Sequence, residues 1–214
     1  SFWYNFIVKL YLSSYHLGNH PEKLVDLIAD SKKVAIIANS KDYYNDREEK
    51  VQQEFEELSK LGLLPEELDL REYFGKREEL RERINNYGAV WVLGGNTFIL
   101  RRAMAQSGFD EILKEKNNDH SFVYAGYSAG VCVITPTLHG LEIVDAPNIV
   151  SEGYNPEIIW DGLGLVDYSI APHYKSNHPE SAGVDKTVEY FVEHKMPFKT
   201  LRDGEVIIRE RKQL

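Results

Sequence analysis

Cysteine is almost absent from this chain. Cys132 is the only one in 214 residues, which excludes an internal disulfide framework and suits a reducing cytoplasm, the expected location. Positive charge is also short: 25 Lys and Arg stand against 34 Asp and Glu, a formal net charge of -9. General affinity for nucleic acid or for an anionic membrane is therefore not expected. No apolar run approaches the roughly 20 residues needed to span a bilayer. The aromatic start, with Phe2, Trp3, Tyr4 and Phe6, is interrupted by Lys9 and has neither a basic leader region nor a small-residue cleavage site. It reads as an extension within residues 1–8 ahead of a first strand at 7–13, and is open as a patch on its own domain or as a homodimer contact. Repeats, low-complexity tracts and linkers are lacking too, so a single domain over residues 1–214 is expected.

What is present is ordinary for a globular protein: 43% hydrophobic and 28% charged residues. Apolar runs at 34–38, 89–93 and 121–126 read as strands covered on both faces, and a shorter one lies at 168–171. Helical spacing of apolar residues appears at 20–28, 46–61, 76–86, 97–106, 108–117 and 179–194. In the second of these, Val51, Phe55, Leu58 and Leu61 form the expected inner stripe. Residues 67–70 are a further strand candidate, and 200–209 is read as a terminal hairpin turning at Asp203-Gly204. Strands alternating with helices predict an α/β sandwich: a mostly parallel sheet with helices on both faces. Sites in such sheets lie beyond the carboxyl ends of the strands.

Two strand ends carry chemistry. Gly126-Tyr127-Ser128-Ala129-Gly130 follows one of them, and a serine between small residues at a strand-to-helix turn fits a nucleophile elbow. A serine needs a base, most often histidine, which a carboxylate orients. His173 follows the strand at 168–171 and is the favoured base, with His178 the competitor. His16, His20, His120 and His194 have no comparable context, and His139 lies in a loop. Glu142 and Asp145 are the candidate acids, Asp145 favoured by its place beside Pro147. The backbone N–H of Ala129 and the turn at Gly94-Gly95 are candidate oxyanion donors. That turn lacks both GxGxxG and a GK[ST] ending, so it makes a weak nucleotide site.

Four blocks together, Leu93-Gly94-Gly95-Asn96-Thr97-Phe98, Gly126-Tyr127-Ser128-Ala129-Gly130, Asp145-Ala146-Pro147 and Ala171-Pro172-His173-Tyr174, resemble the S51 serine peptidases, which include aspartyl dipeptidase (peptidase E) and cyanophycinase. The likeness runs from about residue 9 to the C-terminus. It implies a three-layer fold related to class I glutamine amidotransferases, Ser128 as nucleophile, His173 as base, and an oxyanion hole at Gly95 and Ala129. Asp145 is the expected acid and Glu142 stays open. The implied substrate is a dipeptide or small peptide, with neither cofactor nor metal. A preference for aspartate calls for a cation, and after His173 the chain offers Lys175 and Lys186.

Two other readings compete. An α/β-hydrolase esterase also orders Ser, acid, His, but 45 residues from Ser128 to His173 is short for it and no HGGG-type motif precedes the elbow. A non-catalytic ligand-binding relative would keep the fold without the reaction.

Overall fold

The computed structural model describes residues 8–28, 30–116 and 121–210; the aromatic start, Ile7 and His120 lie outside them. The main sheet has six strands: β1 (Lys9–Ser13), β2 (Lys33–Ile37), β3 (Leu64–Glu67), β4 (Ala89–Val92), β5 (Val123–Tyr127) and, late in the chain, β8 (Val206–Arg209). Their spatial order is β3-β2-β4-β5-β1-β8. All pair in parallel except β8, which runs antiparallel to β1. The separate pair β6 (Ser169–Ala171) and β7 (Phe198–Thr200) is parallel.

Strand side chains alternate between two cores, as the period of two dictates. Leu10, Leu12, Ala35, Ile37, Val90 and Val92 enter one cluster, while Tyr11, Val34, Ile36, Ala89 and Trp91 enter the other. Helices α3 (Arg77–Ile84), α4 (Thr97–Ser107) and α5 (Phe109–Lys116) cover the first face through Leu80, Ile84, Leu100, Met104 and Leu113. Helices α1 (Pro21–Ile28) and α2 (Arg47–Lys60) cover the second through Leu24, Leu27 and Leu58. This is the expected three-layer arrangement. A third cluster joins α6 (Ala129–Cys132) to α7 (Ser181–Glu193) through Cys132, Val184 and Phe191.

Three details depart from expectation. The strand expected at 67–70 lies earlier, and residues 70–73 form a 3₁₀ turn in which the Asp69 side chain accepts from the Arg71 N–H. The strand contains Pro65, which an edge strand tolerates because its N–H side needs no ladder partner. On α2, Phe55 is exposed and Glu54 is fully buried. The terminal hairpin does not form: β7 and β8 flank the turn at residues 202–205 but join different sheets. Leaving the turn, β8 completes the open edge of β1 and lays Ile207 and Ile208 against the two main cores.

Candidate active site

Ser128 sits where β5 meets α6, with φ 50 and ψ -115. A non-glycine residue held there costs about 1–3 kcal/mol, so its surroundings must impose it. One reason is the close passage of the next turn over β4. A Cβ on Gly130 would lie 2.3 Å from the Val92 carbonyl oxygen. The Tyr124 hydroxyl donates to the Gly130 carbonyl at 2.7 Å and ties the turn back to β5. Cys132, four residues on, is no rival nucleophile, because burial pushes its thiol well up.

His173 follows β6 and faces the elbow. Its Nε2 lies 3.0 Å from Ser128 Oγ, and its Nδ1 lies 2.7 Å from Asp203 Oδ1. The ring is 1% exposed. A carboxylate only accepts, so Nδ1 carries the proton and the Nε2 lone pair is left for the serine hydroxyl. The His173 N–H donates to Ser14 Oγ at 2.8 Å, and the Ser14 hydroxyl donates to Asp203 Oδ1 at 2.9 Å. The Asp203 N–H donates to Ser176 Oγ. Burial lowers the His173 pKa; Asp203 opposes this, and His178 and His16 add to it.

The structure thus brings Ser128 and His173 together and puts Asp203, not Asp145, on the imidazole. Asp145 Oδ2 accepts the Thr97 N–H at 2.8 Å, at the start of α4. Glu142 is bound locally, accepting the Gly140 N–H. The segment that carries both acids crosses to α4 instead of turning toward His173. Asp203 reaches the histidine because β6 and β7 run side by side, with Ala171 opposite Thr200. The loops leaving them stay together: Tyr174 N–H donates to the Leu201 carbonyl. In the sequence Asp203 carries only a turn signal, and a parallel pairing between strands 26 residues apart leaves no local mark.

A cleft of about 160 Å³ opens on Ser128 and is lined by Gly94, Gly95, Tyr127, His173, His178 and Glu180, with Tyr15, His16, Lys41, Tyr44 and Lys50. Gly95 lines this cleft, with φ 144 and room for no side chain against the Ser40 carbonyl. Ala129 borders a second, tighter pocket that Ser128 and Glu180 also line, with Thr97, Cys132, Asp145 and Val184. Lys175 and Lys186 are exposed and line neither cavity. His16, which has no notable context in the sequence, is in the cleft. Its Nδ1 lies 2.8 Å from Glu54 Oε1, and Glu54 Oε2 accepts the Trp91 Nε1–H at 2.7 Å. His139, by contrast, stacks on Trp160 elsewhere.

Ligand atoms of His173, His178 and Glu180 come within 4.8 Å of one another, as do those of His16, Glu54 and Glu57. The His173 and His178 rings are stacked, so their in-plane lone pairs run parallel and do not converge on one ion. Glu54 is already engaged by Trp91 and His16. Both sets are organised by hydrogen bonding and stacking.

The model of peptidase family S51 matches residues 13–214. An uncharacterized peptidase of Listeria monocytogenes is 32% identical over 120 residues, 56% of this chain and 55% of the relative. A probable alpha-aspartyl dipeptidase of Drosophila melanogaster is 30% identical over 121 residues, 54% of this chain and 47% of the relative. The aligned part of the chain thus spans about half the length of the curated relatives it matches. The crystal structure of a candidate peptidase E from Listeria monocytogenes superposes with TM-score 0.71 at 23% identity, over 96% of this chain and 99% of that one. Among the described residues no helix is long and apolar enough to cross a membrane.

Proposed function

This chain belongs to peptidase family S51, and we propose that it is a serine peptidase that hydrolyses dipeptides or other small peptides through an acyl-enzyme intermediate. The observation that carries the reading is the relay from Ser128 through His173 to Asp203, with both links at hydrogen-bond distance. Ser128 Oγ attacks the peptide carbonyl while His173 Nε2 takes its proton. Asp203 holds the ring in the tautomer that can accept it and offsets the imidazolium charge. Backbone N–H groups at Gly95 and Ala129 are assigned to the oxyanion. As the intermediate collapses, the proton on Nε2 passes to the leaving nitrogen and the C–N bond breaks. Water, deprotonated by the same nitrogen, then releases the acyl group.

Sequence relatives named probable alpha-aspartyl dipeptidase and peptidase E support small peptides as the substrate class. The chain order here, Ser128, His173, Asp203, differs from the Ser, acid, His order of α/β-hydrolases, and this counts against the esterase reading. The test is labelling of Ser128 by a serine-directed phosphonate together with a panel of dipeptides. Labelling and peptide turnover, both lost in Ser128→Ala, support the assignment. A folded protein whose Ser128 takes no label would favour a binding role, and turnover of p-nitrophenyl esters alone would favour an esterase.

A further inference from the structure

Ser128 lines two cavities, and the base decides which part of a substrate each receives. His173 must hand its proton to the leaving nitrogen, and it lines the wide cleft and not the tight pocket. The residue that leaves therefore occupies the wide cleft, and the acyl part faces the tight pocket at Thr97, Ala129 and Cys132. Two lysines, Lys41 and Lys50, line the wide cleft together with His16.

His16 is held there by its neighbours. Its backbone is in the left-handed region at φ 45, which histidine enters more readily than most side chains. Its ring stacks on Tyr127, centroids 5.2 Å apart. Its Nδ1–H donates to Glu54, a carboxylate of α2 with no exposed surface. Burying a carboxylate is expensive unless donors meet it, and here His16 and Trp91 are those donors. Glu54 and Tyr127 together fix the orientation of an imidazole that stays partly exposed.

We propose that His16, Lys41 and Lys50 form the subsite for the α-carboxylate of the leaving residue, restricting cleavage to the last peptide bond of a short peptide. The inference rests on the peptidase reading above. Glu54 engages Nδ1 of His16, so Nε2 is the ring nitrogen that remains for a ligand. Lys41 Nζ is 3.4 Å from the partly exposed Asp46 carboxylate, and Lys50 Nζ donates to the neutral Gln53 side chain at 3.1 Å. Both ammonium groups thus retain hydrogen-bonding capacity for a ligand. The acid that shares the cleft, Glu180, is pushed up to about 7 by burial and by Asp145, so near neutrality it opposes an anion less than an ordinary glutamate.

The experiment compares Ala-Leu and Asp-Leu with their C-terminal amides, in the wild type and in His16→Gln, Lys41→Met and Lys50→Met. The free acids are expected to exceed the amides in kcat/KM by about tenfold or more. His16→Gln and Lys41→Met should remove most of that preference, raising KM much more for the acids than for the amides. Equal losses on acid and amide, or a wild type that cleaves both alike, would overturn the subsite. So would a loss that follows aspartate in the first position and not the free C-terminus. A readout without turnover is protection of Ser128 from phosphonate labelling by free leucine against leucinamide. Protection by leucine alone, weakened in Lys50→Met, supports the subsite. No protection, with Ser128 reacting normally, overturns the subsite and leaves the peptidase reading standing; failure of both labelling and turnover removes both.

Discussion

The imidazoles of His173 and His178 lie face to face, their ring centroids 3.6 Å apart and their planes 5° from parallel. Tyr15 sets its edge against both, at 5.6 Å and 5.3 Å. Two positive rings at this separation repel, and burial lowers both pKa values before that repulsion acts. With His173 lowered from 6.5, the acid limb of kcat/KM is expected to lie below pH 6.5. His178→Phe keeps an aromatic ring on the stack and removes its charge. The limb should then move to higher pH while the plateau rate stays within a few fold. An unmoved limb would show that His178 has no electrostatic hold on the base.

The acid of the relay is separable from its sequence-level rivals. Asp203→Asn should lower kcat by roughly 10³–10⁴-fold, because the asparagine no longer enforces the working tautomer. Asp145→Asn and Glu142→Gln should each lose far less, since their carboxylates accept backbone N–H groups at Thr97 and Gly140. Steady-state kinetics of the three variants decide it. A larger kcat loss in Asp145→Asn than in Asp203→Asn would reverse the assignment.

Asp145 also predicts a pH dependence of stability. Burial raises its pKa from 3.8 to about 6, against the opposing Thr97 hydrogen bonds. Between those values the folded state holds a proton that the unfolded state has released, so this group's contribution falls as pH rises through the window. Asparagine there carries no such term. The Tm of Asp145→Asn relative to wild type should therefore climb from pH 4 to pH 7 and level off above. A constant difference would show that the carboxyl titrates normally.

Gly130 offers a steric test of the elbow. Alanine would bring a Cβ to 2.3 Å from the Val92 carbonyl oxygen, in backbone that has no flexible end to yield. Gly130→Ala should cost about 1–3 kcal/mol of stability, the usual scale for forced overpacking. Because the displaced turn carries Ser128, labelling by phosphonate should slow as well. Denaturant melts and labelling rates measure the two effects, and a variant matching wild type in both would mean the turn has slack.

Much of this protein follows from local pattern. Apolar runs such as 34–38 and 89–93 announce strands buried on both faces because helices on either side demand apolar residues at every position. Ser128 and Gly95 stand out because strand ends and tight turns leave marks within a few residues, and His173 because it ends a short strand. Family-level spacing reinforces the pairing of Ser128 with His173 that the strand ends already suggest, yet it favours Asp145 as the acid.

Only the tertiary structure decided the rest. Asp203 looks like a turn residue until β7 is seen to lie beside β6, and Glu54 looks like one more charge on a solvated helix until α2 is docked against Trp91. His16 gains a place in the cleft the same way. In each case the deciding contact joins segments tens of residues apart, and such contacts are selected by how whole elements pack, a choice that no single stretch of sequence records.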